Sequence, residues 1–485
     1  MPLDLLLIDP PLSMTKRYGH FALCGGKSFQ NGLAYIAAVA RREGFEVKIL
    51  DMEVTVLDDA SLKEYLQTNK PRVVGLTAPT IAISDAARVA GTVKEILPDT
   101  LTVIGGPHMS CAPEATIRRY TAFDVGVVGE GEITMLELLK LPNPLNGNYM
   151  EINGLVWRNS NDISFSKPRE LIKDLNWLPL PAIDLFPELK SSYIPPYFSV
   201  KRTPAVTVMT TRGCPGKCTF CTNAIHGRVI RQYSLDYLFE LTYMLTEKHG
   251  IKEFQINDDT FTVNKKRVMA FCRRLIDEKI DLTWSCLARV NGVTLEMLEL
   301  MKKAGCWQIC YGVESGDQSM LNSLQKGTTL EQIRKTTAMT KKAGISMKGY
   351  FIIGLPGETR ESLKKTIDFA LELPIDDMAL TIFTPYPGTP AYQTINKYGT
   401  FEEDWDAMTT LNASFVANGF TRDELIKINQ ATYRKFYFRP RIVLSYLKRM
   451  SGLRFFLIMA KGMYGLLSTL FIKRKYFETT NQSAQ

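Results

Sequence analysis

The first 140 residues alternate short apolar runs with longer amphipathic stretches. The runs LLLI (5–8), EVKIL (46–50), VVGLT (73–77), LTVIGG (101–106) and FDVGVVG (123–129) read as strands of a buried sheet. Segments such as GLAYIAAVARREG (32–44) lie between them and read as helices. Five strands alternating with helices predict an α/β, doubly wound parallel sheet. Such sheets bind ligands at the C-terminal ends of their strands, where this one carries Gly105, Gly106, Gly129 and Gly131.

Residues 141–202 are rich in Pro and Asn (NPLNGN, LPLPAIDLFP, IPP) and predict a wrapped linker rather than a packed core. A second alternating series fills 203–400. Its strand-like runs are AVTVMT (205–210), EFQIN (253–257), LTWSCLA (282–288), QICYGVE (308–314), MKGYFIIG (347–354) and MALTIF (378–383). Leu235, Leu238, Leu241 and Leu245 share one face of an intervening helix. Six β/α units predict a partial (β/α)6 barrel, short of the eight that close a full one. Residues 401–485 complete the chain as a helical, basic region.

Composition adds class and compartment. With 45% hydrophobic and 22% charged residues the chain is globular rather than disordered. The run DLLLIDPP near Met1 reads as a strand and a Pro turn rather than a signal peptide, which predicts a cytoplasmic protein. Nine cysteines in that compartment point to metal or redox chemistry before disulfides.

The net charge of +9 is a property of the tail, because eleven Lys and Arg and no Asp or Glu lie between Arg434 and Lys475. The stretch FFLIMAKGMYGLLSTLFI (455–472) is interrupted by Lys461 and two glycines, a poor spanning helix. Basic and aromatic-rich, residues 434–475 fit a peripheral position in the membrane interface on its inner face; a terminal helical subdomain with solvated charges is the alternative. Nucleic acid is not expected, since the basic residues are mixed with Leu, Phe and Met.

Cys214, Cys218 and Cys221 follow the first barrel strand, where a barrel places its chemistry. Structural zinc wants four ligands, and His226 is the only near candidate for the fourth. Three thiolates with a vacant position suit an iron–sulfur cluster with one iron left open.

CPGKCTFC (214–221) has the C-x-x-x-C-x-aromatic-C spacing of the radical S-adenosylmethionine (SAM) enzymes, which residues 203–400 resemble throughout. The resemblance implies that the three cysteines hold a 4Fe-4S cluster and that its open iron binds the amino and carboxylate groups of SAM. It also implies candidate SAM contacts: Asp258 and Asp259 in NDDTF, Glu314 and Ser315 in GVESGD, Gly354 and Glu358 in GYFIIGLPGET, and the backbone of Phe220 against adenine. Acidic residues after a strand are also common helix caps. Arg289 stands where it would pair with the SAM carboxylate, or else form a surface salt bridge. Cys306 and Cys310 read as core residues of a strand rather than as a second cluster.

The leading domain resembles the flavodoxin-like cobalamin-binding domain of the class B radical SAM methyltransferases, through LTVIGGPH, DVGVVGEGE and FQNGLAYIAAVARREGFEVKILD. The implied cobalamin contacts are Thr77, Gly105, Gly106, His108 and Gly129. The Asp-x-His-x-x-Gly mark of cobalamin domains in general is missing; His20 lies in the corresponding loop without its Asp, so cobalamin without a histidine lower ligand, as in many class B members, is expected.

The resemblance implies methylation of an unactivated carbon of a lipid-like or natural-product substrate, through a 5′-deoxyadenosyl radical and methylcobalamin. A low-potential flavodoxin or ferredoxin would be the electron donor. The rival within the same architecture is a non-methylating enzyme such as an anaerobic oxidative cyclase. Methylthiotransferases carry three further cluster cysteines in their leading domain, whereas only Cys24 and Cys111 occur here.

Overall fold

All five apolar runs of the first series are strands in the computed structural model, which describes residues 3–160, 162–196 and 199–449. They are β1 (Leu5–Asp9), β2 (Val47–Asp51), β3 (Val73–Thr77), β4 (Leu101–Gly105) and β5 (Val125–Val127). They pair in parallel in the order β2-β1-β3-β4-β5, and helices cover both faces. β1 is buried at every position, as a central parallel strand must be. The strand order reverses beside β1, which opens a ligand crevice at the strand C-termini.

The expected linker contributes to this sheet. β6 (Leu155–Asn159) adds antiparallel to β5, and β7 (Asp162–Phe165) adds to β6, making seven strands. Leu155 and Val156 are fully buried there, so 141–202 is not wholly a wrapped connection.

The second series also forms as expected. β8 (Ala205–Val208) is followed by the two-residue strands β9 (Thr211–Arg212) and β10 (Arg231–Gln232). Then come β11 (Glu253–Ile256), β12 (Thr283–Ala288), β13 (Cys306–Glu314), β14 (Ser346–Ile353) and β15 (Asp377–Ile382). The six long strands pair in parallel in sequence order and curl into a partial barrel. The free edge of β15 is covered by the helix Arg422–Tyr437. Tyr433 Oη accepts from Leu380 N at 2.9 Å, and Asn429 Nδ2 donates to Leu380 O at 2.7 Å. Side-chain partners thereby replace the missing seventh strand.

Residues 401–421 are not helical, contrary to expectation. β16 (Gly399–Phe401) and β17 (Phe415–Ala417) form a ribbon, and between them Trp405 and Met408 enter the core beneath the first sheet. The other face of that sheet shares one continuous apolar cluster with the barrel. Helix Pro440–Arg449 ends the described chain, and residues 455–472 lie outside it. Among the described residues no helix is long and apolar enough to cross a membrane.

Candidate active site

β9 and β10 pair antiparallel with Arg212 opposite Arg231, and this pairing closes the neck of the loop 213–230 that carries Cys214, Cys218 and Cys221. Gly213 sits at φ +92°, against the carbonyls of Val229 and His226, where a side chain has no room. A β-carbon on Gly216 would lie 3.3 Å from Cys214 Sγ, 3.8 Å from Cys218 Sγ and 2.9 Å from Arg289 Nη1. Two thiols and a guanidinium therefore converge on one point of the loop. Burial pushes the Cys221 thiol up to about 11, helped by Cys218, Asp259 and Cys214 and opposed by Lys326, so the third thiol lies in the same field.

Among the described residues no three His, Cys, Asp or Glu side chains gather closely enough to hold a single metal ion. One zinc draws its thiolates to within about 2.3 Å. Three thiols carried on one loop are a donor set that fits an iron–sulfur cluster.

The acidic pair after β11 divides its work. Asp258 is fully buried and accepts from Thr210 N at 2.6 Å, Thr210 Oγ1 at 2.5 Å and Thr211 N at 3.1 Å. Its carboxylate braces the end of β8 and is turned away from the mouth. Asp259 is exposed beside Cys221, and burial of its surroundings raises its carboxyl above the usual range. Of the pair, Asp259 alone is free to meet an ammonium group.

Glu314 ends β13 in the left-handed region, φ +67°, just past a bulge that re-aims its side chain. It accepts from Lys326 Nζ at 2.5 Å, both groups being buried. That ammonium lies 5.8 Å from the ring centre of Phe220, and Arg289 donates to the Lys326 carbonyl. Thr219 N donates to Leu324 O at 3.0 Å. Lys326 thus joins cluster loop, strand end and guanidinium. It escaped the sequence reading because a lone Lys before a glycine carries no spacing signal.

Ser315 is fully buried, and its hydroxyl pairs with Thr366 Oγ1 at 2.9 Å. It therefore fastens the end of β13 to helix Arg360–Glu372, which follows β14, and its oxygen also accepts from Asp317 N at 3.1 Å. Glu358 folds back onto the β14 turn, where its Oε2 accepts from Gly354 N at 2.5 Å, with Gly354 at φ +72°. Burial pushes this carboxyl up to about 7 against the lowering effect of the Gly354 and Leu355 N–H groups.

In the first domain, Gly106 at φ +88° brings the end of β4 against Thr77 Oγ1 and Ala78 N, where a β-carbon would collide. His108 follows, its N–H donating to Ala78 O at 3.1 Å. Its ring is fully buried, with Nδ1 3.2 Å from Thr80 Oγ1 and Nε2 without a partner. Burial and then the charge of Arg119 hold it down to about 4, a neutral imidazole. Trp405 packs edge-on at 4.4 Å between ring centres. A glycine cradle and an orphaned buried nitrogen at the strand ends fit a large polar-fringed cofactor such as cobalamin. The side chain of His20 lies outside the described ones.

The two domains meet at these strand ends. A β-carbon on Gly129, φ +86°, would lie 3.9 Å from Ile225 O of the cluster loop. Cys111 Sγ lies 3.8 Å from Thr222 Oγ1, the residue after Cys221. A cavity of about 210 Å³ occupies the seam between Gly129, the β6–β7 hairpin and Ala224–Ile225. Beside it, Glu130 Oε1 accepts from Arg212 Nη1 at 3.0 Å and lies 3.1 Å from His226 Nδ1. Glu130 Oε2 accepts from Arg231 Nη1 at 2.8 Å and Ile172 N at 3.0 Å. Glu132 takes the second nitrogen of Arg212 at 2.6 Å. Nothing in the local pattern VVGEGE separates such carboxylates from an ordinary acidic helix start.

Comparison with known proteins covers both halves. Residues 22–139 match the B12 binding domain, and residues 208–370 match the radical SAM superfamily. An uncharacterized methyltransferase of Pyrococcus horikoshii is 35% identical over 91% of this chain and 93% of its own. The anaerobic magnesium-protoporphyrin IX monomethyl ester cyclase of Rubrivivax gelatinosus is 28% identical over 84% of this chain and 73% of its own. Among solved structures, the cobalamin-dependent SAM radical enzyme OxsB, with aqua-cobalamin and SAM bound, superimposes with a TM-score of 0.73 at 17% identity. That match covers 97% of this chain and 71% of OxsB. The radical SAM methyltransferase TsrM of Kitasatospora setae, with cobalamin and a 4Fe-4S cluster, gives 0.67 at 19% identity over 82% of this chain and 75% of its own.

Proposed function

The chain belongs to the methyltransferase-like, cobalamin-dependent radical SAM family, and from that premise we propose that it methylates an unactivated carbon of a small lipid-like or natural-product substrate. The observation that carries the reading is the seam: the cobalamin-domain strand ends touch the cluster loop at Gly129–Ile225 and Cys111–Thr222. Two reactive centres must reach one substrate carbon, and such proximity accounts for much of the rate of a reaction between bound groups. When bound, the cluster with SAM supplies a hydrogen-abstracting radical and cobalamin supplies methyl transfer.

Cys214, Cys218 and Cys221 hold the cluster in this reading. Asp259 and Arg289 stand on either side of the loop with charges complementary to the amino and carboxylate groups of SAM. Phe220 offers its backbone to the adenine. Gly354 and Glu358 shape the β14 turn flanking it, and Glu314 acts through Lys326. Asp258 and Ser315 support the same wall from behind. Thr77, Gly105, Gly106, His108 and Gly129 face cobalamin. A low-potential flavodoxin or ferredoxin supplies the electron. The basic segment 434–475 brings the barrel mouth to a membrane surface; truncation after Arg449, which spares the buried Ile442 and Tyr446, should abolish sedimentation with anionic vesicles. Unchanged sedimentation would remove the membrane from the reading.

The test is mass spectrometry of 5′-deoxyadenosine and S-adenosylhomocysteine from one anaerobic reaction of cluster-reconstituted protein with cobalamin, SAM, reductant and a lipid extract. Both products, each lost on substitution of Cys214, Cys218 or Cys221 or on omission of cobalamin as its chemistry requires, support methylation. The cyclase relative supplies the second reading, which 5′-deoxyadenosine alone would favour.

A further inference from the structure

Two buried carboxylates of the first domain reach the cluster loop across the seam: Glu132 holds one nitrogen of Arg212, while Glu130 holds the other and gathers three further groups. Glu130 is 5% exposed and stands among donors that all belong to other segments: Arg212 and Arg231 at the neck of the loop, His226 within it, and the Ile172 amide. Burial by itself would raise this carboxyl, yet His226, Arg231 and Arg212 together hold it well below the usual range. Arg212 and Arg231 are likewise 4% and 7% exposed, so the charges have no water to fall back on. Arg231 further donates to Ile172 O at 2.8 Å and His226 O at 3.0 Å, which leaves it one geometry.

We propose that Glu130 is the positioning residue that sets the cluster loop against the cobalamin domain, and that losing its charge uncouples radical formation from methyl transfer. The inference rests on the family reading and extends it to a residue outside both cofactor sets. Two other contacts cross the seam, and each is single: Glu132 meets only Arg212, at 2.6 Å, and Cys111 Sγ lies 3.8 Å from Thr222 Oγ1. The loop's remaining fastenings lie within the barrel: the two-residue β9–β10 pairing, the 3.0 Å bond from Thr219 N to Leu324 O, and Arg228 Nη1 to Gly216 O at 2.6 Å. None of these reaches the first domain. A buried charge pair is a poor source of net stability but a strict geometric constraint, because its alternatives leave charges desolvated. One residue away, Gly129 packs on Ile225, so a shift of the loop carries directly to the strand end that faces cobalamin.

Two full-length variants test this. E130Q keeps the size and removes the charge; E130D keeps the charge on a shorter arm. Hydrogen–deuterium exchange on the cofactor-free chain reads the loop directly. In E130Q, amides of 213–230 should exchange at least tenfold faster while those of β1, β3 and β4 stay unchanged, and E130D should recover part of the protection. In reconstituted protein, E130Q should hold iron and cobalamin at wild-type stoichiometry. The paramagnetic resonance spectrum of its reduced cluster should nonetheless differ, and its ratio of 5′-deoxyadenosine to S-adenosylhomocysteine should rise more than tenfold. Wild-type exchange in the loop together with a wild-type product ratio would overturn the proposal. So would E130D behaving as badly as E130Q in a chain whose first-sheet amides remain protected. Failure of wild-type protein to form either product would count against the family reading, while the exchange result would still decide the role of Glu130.

Discussion

Glu358 offers a prediction that needs no cofactor. Its carboxyl is buried behind the β14 turn with Oε1 unpartnered, and burial pushes it from 4.5 to about 7. A carboxyl with a raised folded-state value binds its proton more tightly in the native chain than in the unfolded one. Its contribution to stability is therefore fully present below about pH 4.5 and is lost as pH rises through about 7. At about 1.4 kcal/mol per unit, the loss comes to roughly 3 kcal/mol. Glu358→Gln keeps an acceptor for Gly354 N and cannot ionise. The thermal midpoint of apo-protein, measured from pH 5 to 8 for both chains, should show E358Q gaining on the parent as pH rises, by about 2–4 °C per kcal/mol in domains this large. A difference between the two chains that stays constant across that range would refute the reasoning. E358Q falling behind with rising pH would refute its sign.

Replacing Gly106 by Ala should cost about 1–3 kcal/mol from positive φ and contact with Thr77 and Ala78, and should weaken cobalamin retention on gel filtration; G106A/T77A should recover part of the loss. Trp405→Ala should cost about 3–5 kcal/mol in denaturant unfolding followed by first-domain probes, because its ring is 4% exposed between His108 and Arg119. Lys326→Met should leave iron content intact and raise the KM for SAM in 5′-deoxyadenosine formation at least tenfold, since it unpairs the buried Glu314 beside Phe220.

What the sequence made legible follows from how each element is buried. β1, β3 and β4 are apolar on consecutive positions because helices cover both faces of the sheet, and such runs stand out. β6 and β7 do not. Trp157, Arg158 and Ile163 are only half-buried at the sheet edge, and the strands are embedded in a Pro- and Asn-rich stretch that reads as loop. Trp405 joins the first domain's core from about 300 to 400 residues downstream of β4, β3 and β1, a contact no local period encodes. The cysteine motif was readable because three cysteines fall within one loop, while the Glu130 anchor was not: its partners lie 42 to 101 residues away. Asp258 shows the opposite limit. Its place after a strand suggested a ligand, but two backbone N–H groups and a hydroxyl had already claimed its oxygens.

The central claim is that cluster and cobalamin face one another across the seam between Gly129 and the 213–230 loop. Its most direct test is the magnetic interaction between the reduced cluster and cob(II)alamin in the same molecule, read by pulsed paramagnetic resonance. The account predicts strong dipolar coupling between the two centres, altered by substitution of Glu130. Two independent signals with no measurable coupling would contradict it.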